Sequence, residues 1–131
     1  MEPSQGHPPP LRLLLIDDER GFVTTLAKRL AKRNIQTAQA FSGREGIQLL
    51  RKSDFDVVLL DLKMEDIDGM EVLKIIKIMA PDLPVIMLSG HASEETARLG
   101  IKAGACDYLT KPYDLQELVE KISQVVRREN K

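Results

Sequence analysis
Four apolar residues, Val57-Val58-Leu59-Leu60, run without interruption into Asp61. An unbroken apolar run of this length, ending on a charge, reads as a strand buried on both faces that reaches the surface at its carboxyl end. Such a strand needs cover above and below, so it belongs in a parallel sheet between layers of helix. The aspartate at its end is expensive to desolvate alone and needs partners. The following loop, Leu62 to Gly69, is acidic and closes on the turn pair Asp68-Gly69.

The same pattern recurs along the chain. Leu11 to Ile16 is a near-continuous apolar strand ending in Asp17-Asp18-Glu19. Phe22, Val23, Leu26, Ala27, Leu30 and Ala31 then recur at helical spacing, with Lys28, Arg29, Lys32 and Arg33 on the opposite, solvated face. Asn34 is suited to the left-handed position that closes a helix. Ile35 to Ala40 is a weaker, alternating strand. Ser42 and Glu45 have capping-box spacing, with Ile47, Leu49 and Leu50 as the apolar face behind them. The central strand spans Phe55 to Leu60, and Asp68 caps a helix from about Gly69 to Ala80.

Pro84 to Leu88 is a third buried strand leading to Ser89-Gly90-His91. Ser93 caps a fourth helix to Ala103, weakened by an internal Gly100 that costs about 1 kcal/mol relative to alanine. Cys106 to Leu109 is a short strand before Thr110-Lys111-Pro112. Asp114 and Glu117 open the most amphipathic helix, with Leu115, Leu118, Val119, Ile122, Val125 and Val126 on one face. Met79 and Met87 read as core, and Asp107 as a solvated or capping residue.

Five strands alternating with five helices imply right-handed crossovers and helices on both faces of the sheet. The three most apolar strands take the interior and the two weaker ones the edges. The order 2-1-3-4-5, a flavodoxin-like doubly wound α/β fold, satisfies this. Its switch point, between strands one and three, is where open α/β sheets bind ligands. Residues 11–128 form one domain, with a flexible Pro-rich tail over 1–10 and a short tail over 129–131.

Side by side, strands one and three bring Asp17, Asp18 and Asp61 together. Three carboxylates repel unless a cation joins them, and oxygen ligands with water suit Mg²⁺. Strand four delivers Ser89 to the same edge, and strand five delivers Lys111. Such a set suits a phosphoryl group carried on one carboxylate, its oxygens neutralised by metal and ammonium.

With these residues in place, the chain resembles the receiver domain of bacterial two-component response regulators. Asp17-Asp18, Asp61, Met64 with Asp68-Gly69, Ser89-Gly90, Gly104-Ala105 with Asp107-Tyr108, and Lys111-Pro112 carry the resemblance. It implies that Asp61 accepts a phosphoryl group from a sensor histidine kinase. It further implies that Asp18 binds Mg²⁺ directly, Asp17 largely through water, and the Lys63 carbonyl as a further ligand. Lys111 would pair with the phosphoryl group, Ser89 and Tyr108 would act as the switch, and the Lys111-Pro112 bond would be cis. The signal would leave through the fourth helix, fifth strand and fifth helix, to an output domain or effector protein, and the resemblance admits a homodimer on phosphorylation. Self-phosphorylation and self-dephosphorylation are then the domain's only chemistry; it is not a turnover enzyme. The side chains of Lys63 and His91 occupy positions that tune dephosphorylation in such receivers. Glu65 stands where they usually carry proline, which leaves the loop less constrained and adds an acid near the metal.

Other readings are weaker. A metal-dependent aspartyl phosphatase would carry a second acid two residues beyond the nucleophile, where this chain has Lys63, and would carry a substrate-covering insertion. An unphosphorylated interaction module would need a vestigial pocket. The first turn, Asp17-Asp18-Glu19-Arg20-Gly21, is no glycine-rich phosphate loop, which disfavours a dinucleotide site. The net charge of −1 gives no reason for this domain to bind nucleic acid directly. No apolar run reaches membrane-spanning length. The single cysteine, Cys106, cannot form an internal disulfide and fits a reducing, cytoplasmic setting.

Overall fold
The computed structural model describes residues 9–90 and 94–129. Its elements are β1 (Leu11–Ile16), α1 (Arg20–Ala31), β2 (Ile35–Ala40), α2 (Gly43–Lys52), β3 (Val57–Leu60), α3 (Gly69–Met79), β4 (Val85–Ser89), α4 (Glu94–Lys102), β5 (Asp107–Thr110) and α5 (Leu115–Glu129). The strands form one parallel sheet in the order β2-β1-β3-β4-β5. The expected alternation, order and edge strands are all present.

The unbroken apolar runs follow from the two covered faces. On β1, Leu13 and Leu15 point to one side and Leu14 and Ile16 to the other. On β3, Val57 and Leu59 join the first set, and Val58 and Leu60 the second. The first face packs against Val23, Leu26 and Leu30 of α1 and Leu118, Ile122 and Val125 of α5. The second packs against Val72, Leu73 and Ile76 of α3. All of these side chains are essentially inaccessible to water. Full burial of each is worth roughly 1.5–3 kcal/mol, and Leu13–Ile16 and Val57–Leu60 have no solvated face on which a polar residue could alternate.

Helix ends follow local chemistry. Asn34 has φ 63°, the left-handed value expected after α1. Ser42 Oγ accepts from Glu45 N at 3.1 Å, but the Glu45 carboxylate passes the cap and takes Phe41 N at 2.6 Å. Asp68 Oδ1 accepts from Met70 N at 3.2 Å, and Asp114 Oδ2 from Glu117 N at 3.1 Å. Asp107 is half-buried and pairs with Lys121 at 3.1 Å.

Several boundaries differ from the sequence expectation. β3 begins at Val57 rather than Phe55, because the Phe55 ring turns to pack under the second core face and beneath the Arg12 guanidinium. β4 and β5 are each shifted by one residue toward the C-terminus, starting at Val85 and Asp107 and ending at Ser89 and Thr110. Met79 is not core: at the last turn of α3 it is 38% exposed, whereas Met87 is fully buried. The proposed cap Ser93 lies outside the described residues, as do most of the tail read over 1–10 and the last two residues. Gly100, read as a weak point in α4, has a packing reason. A Cβ there would strike the end of the Met87 side chain, so the missing side chain lets α4 close on β4.

Candidate functional site
Register builds the site. Ile16 pairs with Leu60, so the next residue of each strand, Asp17 and Asp61, emerges at the same edge. Asp61 N donates to Ile16 O at 2.9 Å and Asp17 N to Ala40 O at 3.1 Å, which fixes both at the carboxyl ends of their strands. Asp17 is 1% exposed and Asp61 6%. Ser89, the last residue of β4, is also buried and faces Thr110 across the ladder. Lys111 N donates to Ser89 O at 3.0 Å, and the Lys111-Pro112 peptide is cis, as expected.

The Lys111 ammonium crosses the edge to the acids. It lies 2.7 Å from Asp17 Oδ2, 2.6 Å from Glu19 Oε1 and 4.0 Å from Asp61 Oδ2. The Phe22 ring covers it, with its centroid 4.1 Å from Nζ, and Tyr113 meets Phe22 edge to face at 5.9 Å. Burial alone would lower the Lys111 pKa, but the hydrogen bonds to Asp17 and Glu19 outweigh it and the net shift is upward.

Asp61 shows the opposite imbalance. Burial raises its pKa, the Asp17 charge adds to this, and Lys111 and the Lys63 amide offset only part, leaving it at about 6. An acid held that far above its ordinary range is short of positive charge. Oxygen atoms of Asp17, Glu19 and Asp61 lie within 4.8 Å of one another. An all-oxygen, carboxylate-rich donor set fits a hard divalent cation such as Mg²⁺.

The loop after β3 wraps this cluster. Lys63 N donates to Asp61 Oδ1 at 3.3 Å, and Glu65 N to Asp18 Oδ2 at 3.2 Å. Gly69 N returns to Leu62 O at 3.0 Å. A Cβ on Gly69 would sit 2.6 Å from the carbonyl oxygens of Asp61 and Leu62, so only glycine lets α3 start this close to the backbone of the site. A cavity of about 720 Å³ opens beside the acids, lined by Asp18, Asp61, Lys63, Lys111, Phe22 and Tyr113.

Among the expected site residues, Asp17, Asp61, Ser89 and Lys111 meet at one edge. Asp18 lines the cavity, but its carboxylate is turned to the loop amide of Glu65. Neither Asp17 nor Asp18 is the N-cap of α1, which is Glu19; Asp17 Oδ1 instead accepts from Glu19 N at 3.0 Å. Tyr108 is half-buried on β5 against the second core face. His91 lies outside the described residues. Sequence reasoning missed Glu19 and Phe22 as partners of Lys111. Their only signal was adjacency to the acid pair.

The family model of the response regulator receiver domain matches residues 13–123. The cell cycle response regulator CtrA of Brucella ovis is 36% identical over 118 residues, covering 90% of this chain and 51% of the relative. This chain therefore spans about half the length of the curated relatives it matches. The receiver domain of Francisella response regulator 1452 superposes with TM-score 0.84 at 32% identity, covering 90% of this chain and 98% of that one. A CheY-like receiver domain protein from Methanospirillum hungatei gives TM-score 0.88 at 27% identity, covering 92% and 97%. NtrX from Brucella abortus, solved with ADP, gives 0.87 at 28% identity, covering 92% of this chain but 28% of that one. No helix among the described residues is long and apolar enough to cross a membrane.

Proposed function
Because the chain belongs to the response regulator receiver domain family of two-component systems, we propose that it is a phosphorylation-activated switch with Asp61 as phosphoacceptor. The observation that carries this reading is the buried Asp61 carboxylate, with the Asp17 carboxylate beside it and the Lys111 ammonium 4.0 Å away. A carboxylate oxygen of Asp61 attacks the phosphorus of a phosphohistidine on a sensor kinase. The O–P bond forms, the P–N bond breaks, and the imidazole leaves with its electron pair and takes up a proton. Water later attacks the phosphorus, the Asp61 O–P bond breaks, and inorganic phosphate leaves with the free carboxylate restored.

Asp17, Asp18, Asp61 and the Lys63 carbonyl would hold Mg²⁺, with Glu19 near enough to the same oxygens to contribute. The ion supplies positive charge against the phosphoryl oxygens. Lys111 moves from its bonds to Asp17 and Glu19 to a phosphoryl oxygen, and Ser89 donates a hydroxyl hydrogen bond to another. Tyr108, half-buried on the neighbouring strand, moves inward in step with Ser89. Lys63, which lines the cavity, and His91 tune the return hydrolysis. The altered α4–β5–α5 surface then engages an output domain or effector protein, with a homodimer as one form of the activated state. In this reading residues 11–128 are the working receiver, and its setting is the cytoplasm.

Intact mass after incubation with acetyl phosphate tests the reading. Wild type should gain one phosphoryl group, only with Mg²⁺, and Asp61→Asn should gain none. Equal labelling of the variant would overturn the assignment of Asp61.

A further inference from the structure
The first free amides of α2 are not left to water. Gly43 N donates to Asp66 Oδ1 and Arg44 N to Asp66 Oδ2, each at 3.0 Å. Desolvation would raise the Asp66 pKa, but these bonds, with those from the Ile67 and Asp66 amides, outweigh it and hold the carboxyl below the usual range. Asp66 is not part of α2. It sits in the loop that leaves Asp61, one residue beyond Glu65, whose amide is bound to Asp18. Two consecutive residues of the loop are thus pinned in two directions, Glu65 to the acid cluster and Asp66 to a helix. The segment between Asp61 and Gly69 contains no proline to hold it by ring geometry alone.

We infer that Asp66 is a positioning residue for the phosphoacceptor site: by clasping the start of α2 it holds the Lys63–Glu65 backbone against Asp61 and Asp18. The inference rests on the phosphoacceptor reading for its purpose, but its geometry does not. It makes α2, which supplies no side chain to the acid cluster, part of the support for that cluster. Losing the clasp frees the loop to lift. The Lys63 amide then leaves Asp61, the Glu65 amide leaves Asp18, and both carboxylates lose a fixed orientation toward a cation.

The test compares Asp66→Ala with Ser42→Ala. Both remove side-chain acceptors from the start of the same helix, two bonds for Asp66 and one for Ser42, but only Asp66 belongs to the loop. Amide hydrogen exchange of metal-free protein is read at Lys63 and Glu65. Exchange should quicken about tenfold in Asp66→Ala, the equivalent of one lost cap, stay at wild-type rates in Ser42→Ala, and be largely rescued in Asp66→Asn, which keeps one acceptor. Magnesium affinity, followed by amide shifts on titration with MgCl₂, should fall about tenfold in Asp66→Ala alone, the low end for loss of an outer support. Equal exchange at Lys63 and Glu65 in the two alanine variants, or unchanged exchange in Asp66→Ala, overturns the inference. Failure of wild type to accept a phosphoryl group from acetyl phosphate, with the exchange pattern as expected, overturns the phosphoacceptor reading and leaves the clasp standing.

Discussion

Asp61 ionises at the expense of the fold. Its carboxyl titrates near 6 in the folded chain, against 3.8 for the unperturbed group, because burial and Asp17 oppose its charge. With the folded value raised, the stabilisation it gives is complete below the unfolded pKa and is lost as pH rises through about 6. Asp61→Asn, which mimics the neutral acid, should therefore stabilise the metal-free protein at pH 7.5 by about 1–3 kcal/mol and leave it nearly unchanged at pH 3.5. Urea unfolding in EDTA at the two pH values checks this, and equal stability at pH 7.5 would contradict it. The burial of Val57 to Leu60 was legible, since a run with no polar alternate has to be covered on both faces, but the sequence placed Asp61 where that strand reaches the surface, and its own burial was not legible. The hold of Glu19 on Lys111 was not legible. Its carboxylate is exposed, and nothing local to Glu19 says that a lysine 92 positions away arrives beside it.

At the scale of the elements, apolar periodicity together with caps and helix breakers found all five helices and all five strands. The missed boundaries lie where one side chain decides, as with the Phe55 ring before β3. Gly100 shows the same limit from the other direction. Propensity marks it as a defect in α4, and packing against Met87 explains why it stands there. The two effects can be separated by a double-mutant cycle. Gly100→Ala alone should gain no stability, because the methionine terminus has to move out of a filled site. In a Met87→Ala background the same change should stabilise by about 0.5–1 kcal/mol, the helix-propensity gain. Thermal or urea unfolding of the four proteins measures the coupling, and the same effect in both backgrounds would show that Met87 is not the obstacle. The Glu65-to-Asp18 bond was likewise invisible in the sequence, which shows that Glu65 has an amide to give but not that Asp18 turns to receive it.

The whole molecule gathers its chemistry at the carboxyl edge of one sheet, and Lys111 joins the last strand to the first. If that lysine carries the signal between them, Lys111→Ala should still bind Mg²⁺ through the acids but fail to pass phosphorylation on to α4 and β5. Amide shifts on adding beryllofluoride should then be confined to the loop after β3, whereas wild type should also shift along the α4–β5–α5 surface. Wild-type shifts on that surface in the variant would remove Lys111 from the relay. The sheet order itself was readable from the ranking of strand hydrophobicity, as the two least apolar strands took the edges.

Asp17 and the lysine that binds it are 94 positions apart. On the ribosome, Asp17 emerges early, and most of the domain must be made before Lys111 can reach it. Until then the acid edge lacks its ammonium, and β3 and β4, the two strands between, have no reason to hold it in register with β5. A stalled or clipped chain that ends before β5 therefore carries the acids without the cation that couples them. Assembly of the complete edge is thus tied to the arrival of the last strand, not to synthesis of the acids themselves.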